Sequence, residues 1–312
     1  MTESLRIVSL LSAATEMVCA LGKAHQLVGI SHECDYPPEI LDRPVVTETK
    51  VDPQRPSADI DRQVRQLVRA GLSVYGIRTD VLKRLNPDVI LTQQQCEVCA
   101  VSYDEVVAAV TSLLERAPTV VSLQPTRLGD ILDDIRRVGE AIGAEAAAAR
   151  LIDRLRQRIA RLEGAIASTS DRPRTLFLDW IDPLMVGGHW IPEMVQLAGG
   201  SAVFGRPGLP APSVAWEVIV ESQPEVIVIA PCGFSLQRTE QEVASLTERP
   251  EWPQLPAVRT GRVYIADGVA YFNRSGPRIV DSLEMLAAMI HPEVGQSLLK
   301  SDVRASFTSL LL

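Results

Sequence analysis

Aromatic residues are scarce in this chain of 312 residues, at 4%, and histidine occurs only four times. Each Trp, Tyr, Phe and His therefore has to be read singly. Formal net charge is -8 and no block of basic residues occurs, which argues against nucleic acid and anionic membrane surfaces as partners. No stretch approaches the ~18–20 apolar residues that a bilayer-spanning helix needs. Five cysteines in so long a chain are too few for a disulfide framework and read as free thiols. The opening Met1-Thr2-Glu3-Ser4-Leu5-Arg6 has no basic run leading into an apolar segment and a small-residue cleavage site. As it stands the sequence reads as cytoplasmic, and as periplasmic if a leader has been trimmed away. What is present is ordinary globular material: 46% apolar and 22% charged residues, enough for about two domains.

Three apolar β-branched runs are each followed by a cysteine. Leu27-Val28-Gly29-Ile30-Ser31 leads into His32-Glu33-Cys34, Val89-Ile90-Leu91-Thr92 into Cys96 and Cys99, and Val226-Ile227-Val228-Ile229-Ala230 into Pro231-Cys232. In open α/β sheets the loops at the carboxyl ends of parallel strands form the ligand crevice. Thiols and an imidazole in such loops point to one ligand site.

The chain also repeats itself. Arg6-Ile7-Val8-Ser9-Leu10 followed by Glu16-Met17-Val18 matches Thr175-Leu176-Phe177-Leu178-Asp179 followed by Glu193-Met194-Val195. Leu85-Asn86-Pro87-Asp88-Val89-Ile90 matches Ser222-Gln223-Pro224-Glu225-Val226-Ile227, in the same order. Each match is a buried strand with a helix that glycine or proline stops. The expected fold is α/β with two similar lobes, at 1–125 and 171–312, joined through 126–170 by a long rigid helix, with a ligand cleft between the lobes. Residues 126–142 read as one helix, with Thr126 as N-cap and Gly143 as its stop. Residues 144–166 read as a second, with Leu151, Leu155, Ile159, Leu162 and Ile166 as its apolar stripe and five arginines, Arg158 among them, on a solvated basic face.

Candidate ligand groups follow from residue chemistry. Cys96-x-x-Cys99 has the spacing for Zn²⁺, an iron–sulfur cluster or a redox dithiol. His32 and Cys34 are good transition-metal donors, and Cys232 is a fourth candidate. Trp180, His189 and Trp190, beside Gly187-Gly188, suggest a flat apolar wall that a large ligand can approach closely. Phe234 and the Tyr271-Phe272 pair are read as further ligand-facing aromatics, exposed in a loop in the case of the pair. Arg274 suits an acidic group. No nucleophile elbow, phosphate-binding loop or glycine fingerprint occurs in the sequence, so it does not argue for an enzyme.

These motifs resemble the substrate-binding proteins of ABC importers for cobalamin and iron–siderophore complexes, and the cobalamin branch most of all. Gly29-Ile30-Ser31-x-x-x-Asp35-Tyr36-Pro37-Pro38 is similar to that family's first cleft loop, and Phe272-x-Arg274-x-x-Pro277-Arg278-Ile279 to its last. The resemblance implies a corrin-stacking Tyr36 and permease docking through Asp80 and Glu217. It departs at an insertion around Arg55 to Gly76 and at Thr47-Glu48-Thr49, which replace a cleft tryptophan whose contact is lost or falls to Tyr75. The expectation is a binding protein for a cobalamin-like corrinoid or another metal-containing ligand, with a small-molecule ligand and an ABC permease as partners. The alternatives are a cytosolic Zn or iron–sulfur protein using Cys34, Cys96 and Cys99, and a corrinoid- or thiol-processing enzyme on the same scaffold.

Overall fold

The computed structural model describes residues 4–93, 106–107 and 116–310. It divides into two compact units: Met1–Arg55, Asp59–Pro125 and Gly129–Arg154 form one, and Pro56–Ala58, Thr126–Leu128 and Leu155–Leu312 the other.

In the first unit the strands are β1 (Ile7–Ser9), β2 (Leu27–Gly29), β3 (Thr47–Thr49), β4 (Tyr75–Ile77), β5 (Val89–Gln93) and β6 (Thr119–Leu123). Four of them form a parallel sheet in the order β2-β1-β5-β6, while β3 and β4 pair separately and antiparallel. Every residue of β5 is buried, as a central parallel strand covered on both faces requires. Val8, Leu10, Val46, Leu82 and Ile90 make the adjoining core.

The second unit contains β7 (Arg174–Trp180), β8 (Met185–Val186), β9 (Ser201–Ala202), β10 (Val226–Ile229), β11 (Val263–Ala266) and β12 (Phe307–Ser309). The order is β12-β11-β10-β7-β8, and β9 also pairs with β7. β10 runs parallel to both β7 and β11, whereas β8 and β12 are antiparallel edges.

The sequence repeat is real down to single hydrogen bonds. The Thr79–Leu85 helix ends at Asn86 with φ 39°, and the Trp216–Ser222 helix at Gln223 with φ 48°, each in the left-handed region just before proline. The residue before proline avoids the right-handed helical region, so the chain reverses there. Arg6 N–H then donates to Asp88 Oδ2 at 3.0 Å, and Arg174 N–H to Glu225 Oε2 at 2.8 Å. Both arginine Nε groups reach back to a helix-end carbonyl, Leu85 O at 2.9 Å and Gln223 O at 3.1 Å. Each unit thus ties the start of its central strand pair to the preceding helix in the same way.

The two long helices occur at Leu128–Ala141 and Glu145–Ile166, separated by Gly143 at φ 63°, the first opening one residue later than an N-cap at Thr126 requires. Leu151, Leu155, Leu162 and Ile166 are buried, and Ile159 is half-buried. The basic face needs one correction. Arg150, Arg154, Arg156 and Arg161 are exposed, but Arg158 turns inward to Asp281 and Glu284 of the Ile279–Ile290 helix. Among the described residues no helix is long and apolar enough to cross a membrane.

Candidate functional site

At the carboxyl end of β2 the chain leaves the sheet through Ile30, which bridges to Val45. The next two residues meet Thr47, the first residue of β3. The His32 backbone N–H donates to Thr47 Oγ1 at 3.0 Å, and His32 Nδ1 lies 2.6 Å from the same oxygen. Thr47 gives its own proton to Ser31 Oγ at 3.0 Å. With that proton committed, the Thr47 oxygen can only accept, so His32 is the Nδ1–H tautomer and keeps its lone pair on Nε2. Burial, with Arg78 nearby adding to it, lowers the His32 pKa from the ordinary imidazole value and favours the neutral ring. Nε2 accepts no hydrogen bond among the described residues and is not one of the buried side-chain atoms left without a partner.

Tyr75 closes the other side of this imidazole. The two rings lie 5.2 Å apart at 45°, and Tyr75 O–H donates to Glu33 Oε1 at 2.9 Å. Tyr36, 45% exposed, precedes a cis proline, Pro37. Cys34 turns inward. It is buried, with Sγ 3.1 Å from Thr15 Oγ1. Cys19 is also on the Ser12–Ala20 helix, and burial, reinforced by Glu39 and Glu16, pushes its thiol up to about 12. Its protonated sulfur is a poor donor for a metal.

In the second unit the carboxyl ends of β7 and β10 meet. The Trp180 and Phe234 rings pack 5.1 Å apart, and the Arg238 guanidinium lies 4.9 Å from the Phe234 centroid. Trp180 is half-buried, and its Nε1–H donates to Asp182 O at 2.9 Å. Cys232 is exposed, with its backbone N–H on Asp179 O.

Several expected ligand contacts belong to the interior instead. Phe272 is fully buried against Phe177 at 5.3 Å, and Trp190 is 7% exposed with Nε1–H on Phe272 O at 2.7 Å. Tyr271 is buried too, beneath the Arg278 guanidinium at 5.2 Å. Rings enclosed in this way have no face left for a ligand, so Trp190, Tyr271, Phe272 and also Phe234, at 3% exposed, are core residues. Arg274 is buried and engaged within the protein. The close approach that Gly187-Gly188 permits is taken up by the chain itself, because a Cβ on Gly188 would stand 2.2 Å from Ala211 N. His189, at φ 51°, is held there by its N–H on Leu209 O at 2.6 Å, with Nδ1 buried and unpaired.

Cys96 and Cys99 lie outside the described residues. Among the described residues no group of three or more His, Cys, Asp or Glu side chains could hold a metal ion. Asp80 and Glu217 are both exposed, Asp80 pairing with Arg84 at 3.0 Å and Glu217 standing in the first turn of the Trp216–Ser222 helix. A cavity of about 430 Å³ opens at the opposite end of the second sheet, lined by Asp171, Glu225, Arg262, His291 and Glu293. Of its lining, Glu225 pairs with Arg174 and Arg262 donates to Ile290 O, and it stands at strand starts, away from the loops that carry ligands in such sheets.

The sequence alone does not mark Ser31 and Thr47 as partners of His32. The signal was a β-branched, strand-forming Thr47-Glu48-Thr49 placed to pair with Tyr75-Gly76-Ile77.

A family model described as periplasmic binding protein matches residues 7–270. The chain belongs to the periplasmic binding protein family. This is a family of solute-binding proteins, not of enzymes. The chain is similar to the vitamin B12-binding protein of Photorhabdus laumondii, 25% identical over 288 residues that cover 92% of this chain and 88% of that protein. It is similar also to the ABC transporter substrate-binding lipoprotein YvrC of Bacillus subtilis, 25% identical over 93% of this chain and 81% of that one. Among solved structures, the periplasmic vitamin B12-binding protein BtuF of Vibrio cholerae matches with TM-score 0.67 and 23% identity, covering 94% of this chain and 98% of that chain. The periplasmic heme-binding protein RhuT of Roseiflexus sp. RS-1 matches with TM-score 0.69 and 22% identity, covering 93% and 99%. At those identities the structures share the fold.

Proposed function

We propose that this chain is the solute-binding component of an ABC importer, and that its solute is a cobalamin-like corrinoid or a related metal-centred ring. The observation that carries the reading is His32. A neutral imidazole has its Nδ1–H engaged by Thr47 and its Nε2 lone pair left over, the arrangement of a metal-ligating histidine with an outer-shell partner. It stands at a strand's carboxyl end, in a family whose relatives include proteins named for vitamin B12 and for heme. Tyr36, solvent-accessible in the same loop, supplies apolar contact to a flat ring in this reading, and His32 Nε2 meets the metal. The metal arrives with the solute, so no resident ion is required. Asp80 and Glu217 are the proposed acids for permease docking.

Titration of the purified protein with aquocobalamin and with haemin, followed by absorption spectroscopy, tests the reading. Saturable binding with a spectral shift that His32→Ala removes is the expected result. No measurable affinity for either compound would overturn it. Elemental analysis of the protein as purified distinguishes cobalt or iron carried by a solute from zinc held by thiolates.

A further inference from the structure

We infer that Tyr75 is a positioning residue for His32, and that the β3–β4 hairpin makes the site selective for metal complexes with an exchangeable axial position. This rests on the metal-centred-ring reading above. The pairing of the hairpin sets Thr47 opposite Ile77 and Thr49 opposite Tyr75. Residues two apart on a strand share a face, and directly paired residues do as well. Thr47, Thr49 and Tyr75 therefore occupy one face of the hairpin, and two of the three contact His32.

The contacts divide the work. Thr47 Oγ1 takes both the backbone N–H and Nδ1 of His32. Tyr75 packs its ring on the imidazole and holds the neighbouring Glu33 through its hydroxyl. Loop and ring are thus each held by both strands, which sets the orientation of the imidazole. A ring fixed in advance loses little rotamer freedom when it binds.

The chemistry then selects the solute. Nε2 can enter a metal's axial position only where a weak ligand leaves. With aquocobalamin, water departs with its electron pair as the Nε2 lone pair forms the new bond to cobalt, and neither proton nor electron is exchanged. Cyanocobalamin offers no such position, since cyanide and its own base fill both faces. Haemin offers one where water or hydroxide leaves.

Parallel titrations with aquocobalamin and cyanocobalamin test the inference. Aquocobalamin should bind about tenfold tighter or better, the equivalent of one good interaction, and show the absorption shift of an imidazole-ligated cobalt. Tyr75→Phe should keep that signature with a smaller preference, because the ring stays and the grip on Glu33 goes. Tyr75→Leu should bring the preference to within about threefold and weaken the signature. Equal affinities with no shift would overturn the inference and leave the corrinoid reading standing. An unchanged shift and preference in Tyr75→Leu would overturn the role of Tyr75. Absence of all binding would instead remove the underlying reading. If haemin is the solute, the same variants read the same outcome in its Soret band.

Discussion

Replacing Arg158 by alanine should destabilise the second unit more than replacing any of the exposed arginines of the Glu145–Ile166 helix. Arg158 Nε donates to Glu284 Oε1 at 3.0 Å and Nη2 to Glu284 Oε2 at 2.7 Å, with Nη2 also reaching Asp281. The side chains are 20% exposed for Arg158, 7% for Asp281 and 2% for Glu284. Removing one partner of a buried pair costs about 3–5 kcal/mol, mostly because the other charge is stranded. Here Asp281 keeps Lys300 Nζ at 2.7 Å, but among the described residues Glu284 keeps only Arg161 at 3.8 Å. The loss therefore concentrates on Glu284 and should reach about 2–4 kcal/mol. Arg161→Ala, at an exposed position, should cost only ~0–1 kcal/mol. All four tryptophans, Trp180, Trp190, Trp216 and Trp252, lie within Leu155–Leu312, so urea unfolding followed by tryptophan fluorescence reports this unit alone. Arg158→Met with Glu284→Met should recover much of the loss, since it leaves no stranded charge. A loss under about 1 kcal/mol for Arg158→Ala, or a double variant less stable than the single one, would refute this account.

Asp134 provides a pH prediction. Burial raises its pKa to about 6 from 3.8, against the opposing pull of Arg137 at 2.8 Å. The folded value lies above the unfolded one, so its stabilising share is complete below about pH 4 and is lost as pH rises through about 6. Asp134→Asn removes that slope. Its stability relative to the parent should rise by about 1–3 kcal/mol between about pH 4 and 7, in urea unfolding followed by circular dichroism, and a pH-independent difference would contradict the assignment. Trp190→Phe leaves Phe272 O without its 2.7 Å donor and should cost about 2–3 kcal/mol on thermal unfolding. Because the indole is enclosed, solute affinity should stay within about threefold, and a larger drop would return Trp190 to the ligand-facing set.

The readable parts of the fold were those with a local cause. Val89-Ile90-Leu91 is apolar throughout because a central parallel strand is covered on both faces, and Pro87, Pro224 and Gly143 stop helices by their own backbone chemistry. Arg158 was legible in principle, since it lies three residues from Leu155 and four from Leu162, on the buried stripe. The aromatic loops were not. Tyr271, Phe272 and Trp190 stand in segments with no period, so nothing local tells which ring turns inward. The β3–β4 pairing was hidden for another reason, as three-residue strands separated by the Ser57–Arg69 helix carry no turn signal linking them. His32 was therefore visible as a candidate, while the two residues that orient it were not.

The internal repeat gives independent support for where the solute meets the chain. The two units agree at the starts of their central strands, where Arg6 with Asp88 and Arg174 with Glu225 make the same clamp against a helix that ends in the left-handed region before proline. They disagree at the other ends of those sheets. One unit places an imidazole among hydroxyls and a phenol there, and the other an indole, a phenyl ring and a guanidinium. Folding makes the same demand on both copies, so the shared clamp is the structural part. The strand-end loops, released from that demand, are where two similar scaffolds became different, which is the expected seat of ligand chemistry in open α/β sheets. The cavity among the strand starts, sharing Glu225 with the clamp, belongs by the same reasoning to the scaffold.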